Sequence, residues 1–118
     1  MDKSKEMALL AQQALEEKKG QDIKTIDIKE ISIIADYFVI SHGTNPSQIE
    51  ALIDEVKSKL GKNGYEPLRV EGKGSTGWVL LDYGDIIVHI FSEENRNFYN
   101  LERLWRDGKL ISKENLDL

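Results

Sequence analysis

Cysteine is absent from the 118 residues, which removes disulfides and thiolate metal sites and is compatible with a reducing compartment. Histidine occurs only twice, at His42 and His89, with no HExxH pattern, so a transition-metal centre would lack ligands. No apolar run approaches membrane-spanning length, because Asp36 interrupts the longest candidate. Glu6, Gln12 and Gln13 likewise break the amino-terminal stretch, which leaves no signal-peptide core. These absences make the cytoplasm the expected location and a membrane an unexpected partner. No Lys/Arg-rich stripe offsets the formal charge of −5, so the molecule as a whole is repelled by nucleic acid and sequence-specific binding to it is not expected. A basic protein surface fits better. The length suits one domain with a single core, expected over 1–108, with 109–118 a polar and loose tail.

What is present reads as alternating helices and strands. Ser4 can cap a helix carrying Met7, Leu10, Ala11, Ala14 and Leu15 on one stripe, with Gly20 ending it in the left-handed region. From Thr25 to Glu30, Ile26 and Ile28 point one way and Thr25, Asp27 and Lys29 the other, as in a half-exposed strand. The run Tyr37-Phe38-Val39-Ile40 suits a strand buried on both faces. Asn45-Pro46-Ser47-Gln48 supplies an N-cap, a proline at N1 and a Gln that reaches back. Ile49, Leu52, Ile53, Val56 and Leu60 then recur at helical spacing until Gly61 or Gly64. Tyr65 to Glu71 reads as a strand at an edge or strand start, since Pro67 cannot donate to a ladder.

The stretch from Trp78 to Trp105 is the richest. Two apolar runs are hinged at Asp82-Tyr83-Gly84-Asp85, and a two-residue Tyr83-Gly84 turn pairs Asp82 with Asp85, Leu80 with Ile87 and Trp78 with His89. A three-residue turn with Gly84 in the left-handed region is the alternative and pairs Trp78 with Val88. In the first register Val79, Leu81, Ile86, Val88 and Ile90 form an aliphatic core face. Trp78, Leu80, Asp82, Asp85, Ile87, His89 and Phe91 share the other, which is apolar enough to dock a partner and polar enough to select it. Ser92 is the N-cap of a last helix, with Glu93 and Glu94 at its positive end. Phe98, Leu101, Leu104 and Trp105 make its core stripe. Tyr99 and Arg96 fall off that stripe and are residue types that anchor interfaces. The order α-β-β-α-β-β-β-α gives an α/β (α+β) domain with a mixed sheet of about five strands packed with helices.

Catalytic signals are thin. Gly72 to Gly77 leads into a strand rather than a helix, so it reads as an inter-strand connection and not a phosphate loop. Asp82 and Asp85 are better read as hairpin-turn residues than as a metal-binding pair. His89 within an apolar strand fits a structural or interface role better than that of a base. No GxSxG elbow occurs.

Asp36-Tyr37-Phe38-Val39-Ile40, Gly43-Thr44, Glu71-Gly72, Trp78-Val79-Leu80-Leu81-Asp82, Gly84-Asp85, His89, Arg96, Tyr99, Leu101-Glu102 and Leu104-Trp105 together resemble the Iojap family, the ribosomal silencing factors. The match runs from about Leu9 to Trp105. Its most specific part is Trp-x-x-x-Asp-x-Gly-Asp-x-x-x-His followed by Arg-x-x-Tyr-x-Leu-Glu-x-Leu-Trp. Asn45 stands where the family often has Ser, and either residue can cap the helix.

The resemblance implies a translation repressor that binds ribosomal protein fourteen of the large subunit and blocks joining of the small subunit when nutrients run short. It also implies a homodimer in the free state and a nucleotidyltransferase-like fold. Gly43-Thr44-Asn45 stands where that fold's enzymes have Gly-Ser, and no Asp-x-Asp strand follows, so the likeness carries no catalysis with it. No cofactor or metal is expected. The expected contact set is Trp78, Leu80, Asp82, Asp85, His89, Arg96, Tyr99 and Glu102. A nucleotide-binding or nucleotidyl-transferring enzyme and a purely structural homodimer are the competing readings.

Overall fold

A computed structural model describes residues 3–30, 32–99 and 109–111. The first helix, α1 (Lys3–Glu17), is followed by the hairpin of β1 (Gln21–Asp27) and β2 (Tyr37–Gly43). Helix α2 (Pro46–Lys62) comes next, then β3 (Arg69–Glu71), β4 (Trp78–Asp82), β5 (Ile86–Ser92), α3 (Glu93–Tyr99) and β6 (Lys109–Ile111). The sheet order is β3-β4-β5-β2-β1-β6. Among the described strands only β2 and β5 run parallel; the other neighbouring pairs are antiparallel. The fold is thus the α+β arrangement with a mixed sheet that the sequence implies, with six strands among the described residues where about five were expected. The added strand is β6, whose residues the sequence reading assigned to a loose tail. It pairs with β1 through Asp27↔Lys109, Ile26↔Leu110 and Thr25↔Ile111.

Helix α2 follows its sequence signals closely. Asn45 Oδ1 accepts from Gln48 N at 2.8 Å, while Gln48 Oε1 accepts from Thr44 N at 2.7 Å, one residue further back than a standard capping box. Its buried stripe is Ile49, Leu52, Ile53, Val56 and Leu60. The start of α1 differs: the helix already includes Ser4, which is buried inside it rather than capping it. At its end Lys19, with φ 61°, takes the left-handed position expected of Gly20. Strand β1 starts four residues earlier than the alternation suggests, and Thr25 does not face water. Its hydroxyl donates to Gln12 Oε1 of α1 at 2.7 Å in a buried pair, which satisfies both polar groups under the helix.

Strand alternation divides the core in two. Tyr37, Val39, Val79, Leu81, Ile86, Val88 and Ile90 meet α1 and α2 on one face. Ile26, Ile28, Ala35, Phe38, Ile40, Ile87 and Phe91 pack on the other, joined by the half-buried Trp78 and Leu80. Strand β2 contributes to both clusters and is almost wholly buried, as its continuous apolar run requires.

Candidate functional site

The β4–β5 hairpin builds the site, and its register differs from the expectation. Trp78 pairs with Phe91, Leu80 with His89 and Asp82 with Ile87, two residues beyond the expected pairing and distinct from the three-residue alternative. The cause lies in the turn. Tyr83 N donates to Ile86 O at 3.0 Å, so the central residues are Gly84-Asp85. Gly84, at φ 83°, takes the left-handed place that Tyr83 fills poorly. Because the slip is two residues, every side chain keeps its face. Trp78 and His89 therefore still meet, diagonally instead of directly across.

Their contact fixes both rings. Trp78 Nε1–H donates to His89 Nδ1 at 3.1 Å, so a neutral imidazole carries its proton on Nε2. His89 is 4 % exposed, and its Nε2 has no hydrogen-bond partner among the described residues. Burial pushes its pKa down to about 4, since a charged imidazolium would lose its hydration. It is therefore neutral near pH 7 and holds the indole in place. Phe91 stacks on Trp78 at 5.1 Å between ring centroids, and Phe38 meets the imidazole edge-on at 4.7 Å. Such packing orients an aromatic side chain before any partner arrives.

Beside the indole lies an open cavity of about 240 Å³ lined by Glu71, Gly72, Trp78 and Leu80. Glu71 and Leu80 are cross-strand partners, so the carboxylate stands at the rim of an apolar floor. Gly72 closes the cavity at a point no other residue could occupy unchanged: at φ +86°, a Cβ there would lie 2.2 Å from the Trp78 carbonyl oxygen. Glu71 and Gly72 were missing from the contact set read from sequence, although both belong to the family-like pattern. Their role depends on β3 pairing with β4, which local patterning does not specify.

The remaining expected contacts divide. Asp82 Oδ1 accepts from Gly84 N at 2.8 Å, and its other oxygen lies 3.8 Å from Arg69 Nη2. It is a turn-forming residue whose second oxygen faces Arg69. Asp85 accepts through its backbone oxygen from Asp36 N at 2.8 Å, tying the hairpin tip to the β1–β2 loop. His89 is not a surface group. Neither is Arg96, which is 6 % exposed: its guanidinium donates to Gln21 O at 3.2 Å, lies 3.1 Å from His42 Nδ1 and pairs with Asp22 at 3.4 Å. Arg96 thereby fastens α3 across the ends of β1 and β2, and the expectation of an exposed anchor is corrected. The Tyr99 side chain, Glu102 and the Phe98–Trp105 stripe lie outside the described residues.

A second cavity, about 290 Å³, opens where the parallel strands β2 and β5 end, between the α2 amino terminus and the Gly74–Gly77 turn. Ligands of α/β sheets favour this position, but the lining contributes a single carboxylate, Glu94. Among the described residues no group of three or more His, Asp or Glu side chains is placed to hold a metal. No described helix is long and apolar enough to cross a membrane.

Comparison with known proteins gives the chain's relatives. The family model described as "Ribosomal silencing factor during starvation" matches residues 1–118. The chain is 40 % identical over 106 residues to "Ribosomal silencing factor RsfS" of Bacillus subtilis, covering 90 % of each chain. It is 29 % identical over 98 residues to "Protein Iojap, chloroplastic" of Zea mays, covering 83 % of this chain and 42 % of that one. A crystal structure of a Chromobacterium violaceum protein superposes with a TM-score of 0.85 at 34 % identity, over 95 % of this chain and 92 % of the other.

Proposed function

Because the chain belongs to the ribosomal silencing factor family, whose membership supports a ribosome-associated role in silencing translation, we propose that it binds ribosomal protein fourteen on the large subunit and sterically prevents the small subunit from joining under nutrient limitation. The observation that carries the docking surface is the immobilised, partly buried indole of Trp78 beside Leu80, with Glu71 lining the same cavity and Asp82 further along the same strand face. A preset aromatic anchor with a carboxylate rim suits a basic protein partner, and the net charge of −5 disfavours direct attachment to RNA. Asp85, Tyr99 and Glu102 extend the proposed contact set around this centre, while His89 acts beneath it and Arg96 holds α3 against β1 and β2. Silencing in this scheme needs occupancy and no chemistry. The free protein self-associates, and the site of action is wherever the large subunits are, in the cytoplasm.

Co-sedimentation with purified large subunits tests the reading. Folded Trp78→Ala should lose about 2 kcal/mol or more of binding, whereas Asp82→Lys should mainly slow association and flatten its salt dependence. Subunit joining should recover in proportion to lost occupancy. Unchanged binding by Trp78→Ala removes this surface from the proposal, and tight binding by a variant that permits joining removes the steric mechanism.

A further inference from the structure

The cavity of about 290 Å³ beside the Gly74–Gly77 turn has walls that are pinned at both ends of the turn. Gly74 N donates to Glu50 Oε2 of α2 at 2.6 Å, and a Cβ on Gly74 would lie 2.6 Å from the Pro46 carbonyl oxygen. At the other end Ser92 N donates to Gly77 O at 2.9 Å. A loop packed this closely frames a preformed recess, at the lower end of the range of small-molecule sites, about 300 to 1,000 Å³. The recess also lies where the parallel strands β2 and β5 end, the place at which open sheets of this kind seat ligands.

The lining decides what chemistry fits. No described lysine or arginine lines the cavity, and Glu94 does, so a phosphate would meet repulsion and no neutralising cation. The first turn of α2 does not make good the lack: Pro46 has no N–H, and the N–H groups of Gln48 and Ile49 already donate to Asn45. A neutral ligand is favoured instead. Pro46 and Ile49 supply apolar surface, while Ser75, Glu94 and Asn95 supply a hydroxyl, a carboxylate and an amide. A carboxylate accepts well from ribose hydroxyls, and an Asn amide offers the donor and acceptor that a base edge requires.

We propose that this cavity binds a neutral ribonucleoside, with Glu94 accepting from the ribose hydroxyls, Ser75 and Asn95 hydrogen-bonding the base, and Pro46 and Ile49 lying against its flat face. Occupancy bears on the docking surface through Thr76, which also lines the cavity. Its hydroxyl donates to Trp78 O at 3.3 Å and accepts from Lys73 N at 3.0 Å, and the same short loop begins at Gly72, in the wall of the Trp78 cavity. A ligand that holds this turn holds the backbone on which the indole is mounted, and so favours the arrangement that docks. The coupling rests on the proposed ribosome docking; the binding site does not.

Equilibrium dialysis of the full chain against adenosine, guanosine, cytidine and uridine, each beside its 5′-triphosphate, and against free ribose tests the site. At least one nucleoside should bind with a Kd on the order of 0.1 mM, and about tenfold or more tighter than ribose or its own triphosphate. Ser75→Leu, at an exposed position, should weaken that binding about tenfold, with an unchanged circular dichroism spectrum. Glu94→Lys should reverse the preference, so that the triphosphate binds better than the nucleoside. No nucleoside binding at millimolar concentration, equal binding of nucleoside and triphosphate, or undiminished nucleoside binding by both variants overturns the site. In a second arm, saturating nucleoside should tighten co-sedimentation with purified large subunits about threefold or more. An unchanged affinity there overturns the coupling alone. Failure to sediment with large subunits even without nucleoside overturns the docking reading, while the dialysis still decides the site.

Discussion

Replacing His89 with glutamine tests whether a buried imidazole makes stability depend on pH. His89 titrates near 6.5 when exposed and at about 4 in the folded protein. Between these values the unfolded chain holds a proton that the folded one does not, so protonation favours unfolding as pH falls. The sign follows: the stability associated with neutral His89 is complete above about pH 6.5 and is lost progressively down to about pH 4, below which both states are protonated. At about 1.4 kcal/mol per pH unit, the gap corresponds to about 3 kcal/mol. The glutamine of His89→Gln does not titrate, and its side-chain oxygen can still accept from the Trp78 indole. Loss of the contacts with Phe38 and Phe91 should lower stability by an amount that does not vary with pH. The assay is urea unfolding of both proteins from pH 7.5 to 4, read as the difference between them. Carboxylates and His42 are common to both and cancel to first order. The advantage of the unaltered protein should shrink by about 3 kcal/mol across this window. A difference constant with pH would refute the reasoning and place the imidazole in contact with water.

Gly72→Ala and Gly64→Ala share a positive φ, +86° and +87°, but only the former sets a Cβ against backbone, 2.2 Å from the Trp78 oxygen. Thermal unfolding should show a loss of about 1 kcal/mol for Gly64→Ala and about 3 kcal/mol or more for Gly72→Ala; equal losses would mean that the close approach is unimportant. Arg96→Leu removes the charge-assisted contacts to Gln21, His42 and Asp22 and should cost about 2 kcal/mol of stability. The variant's folded fraction should bind large subunits normally; a specific binding defect at full stability would restore Arg96 to the interface.

The two faces of the β4–β5 hairpin were legible from sequence because a period of two survives a two-residue slip, whereas the register was not. Pairing depends on which residues occupy the turn, and that choice was settled by the φ of Gly84 and the Asp82 side chain. The α2 signals were local and sufficient, from the Asn45 cap to the Leu60 stripe. Long-range partners were the harder part. Thr25 reads as exposed until α1 places Gln12 over it, and Arg96 reads as a surface anchor until β1 and β2 bring Gln21 and His42 beneath it. Lys109–Ile111 lacks a strong strand pattern of its own and gains its place from β1. The indole cradle was half legible: Trp78 and Leu80 follow from alternation, but Glu71 and Gly72 join them only through pairing at the sheet edge.

The parallel seam between β2 and β5 also bears on how the chain acquires its fold. Its ladder runs from Tyr37↔Ile86 to Gly43↔Ser92, so each contact closes a loop of nearly fifty residues, whereas the β1–β2 and β4–β5 hairpins join neighbours in sequence. Loop-closure entropy must be met before distant contacts give any return. The expected order therefore has the two hairpins and α2 forming early as separate, fluctuating units. The seam then closes in the rate-limiting step, with Val39 and Val88 meeting directly across it. Until that closure the apolar edges of both hairpins are exposed together, which makes the interval before β2 meets β5 the period when a newly made chain is most prone to pair with another chain.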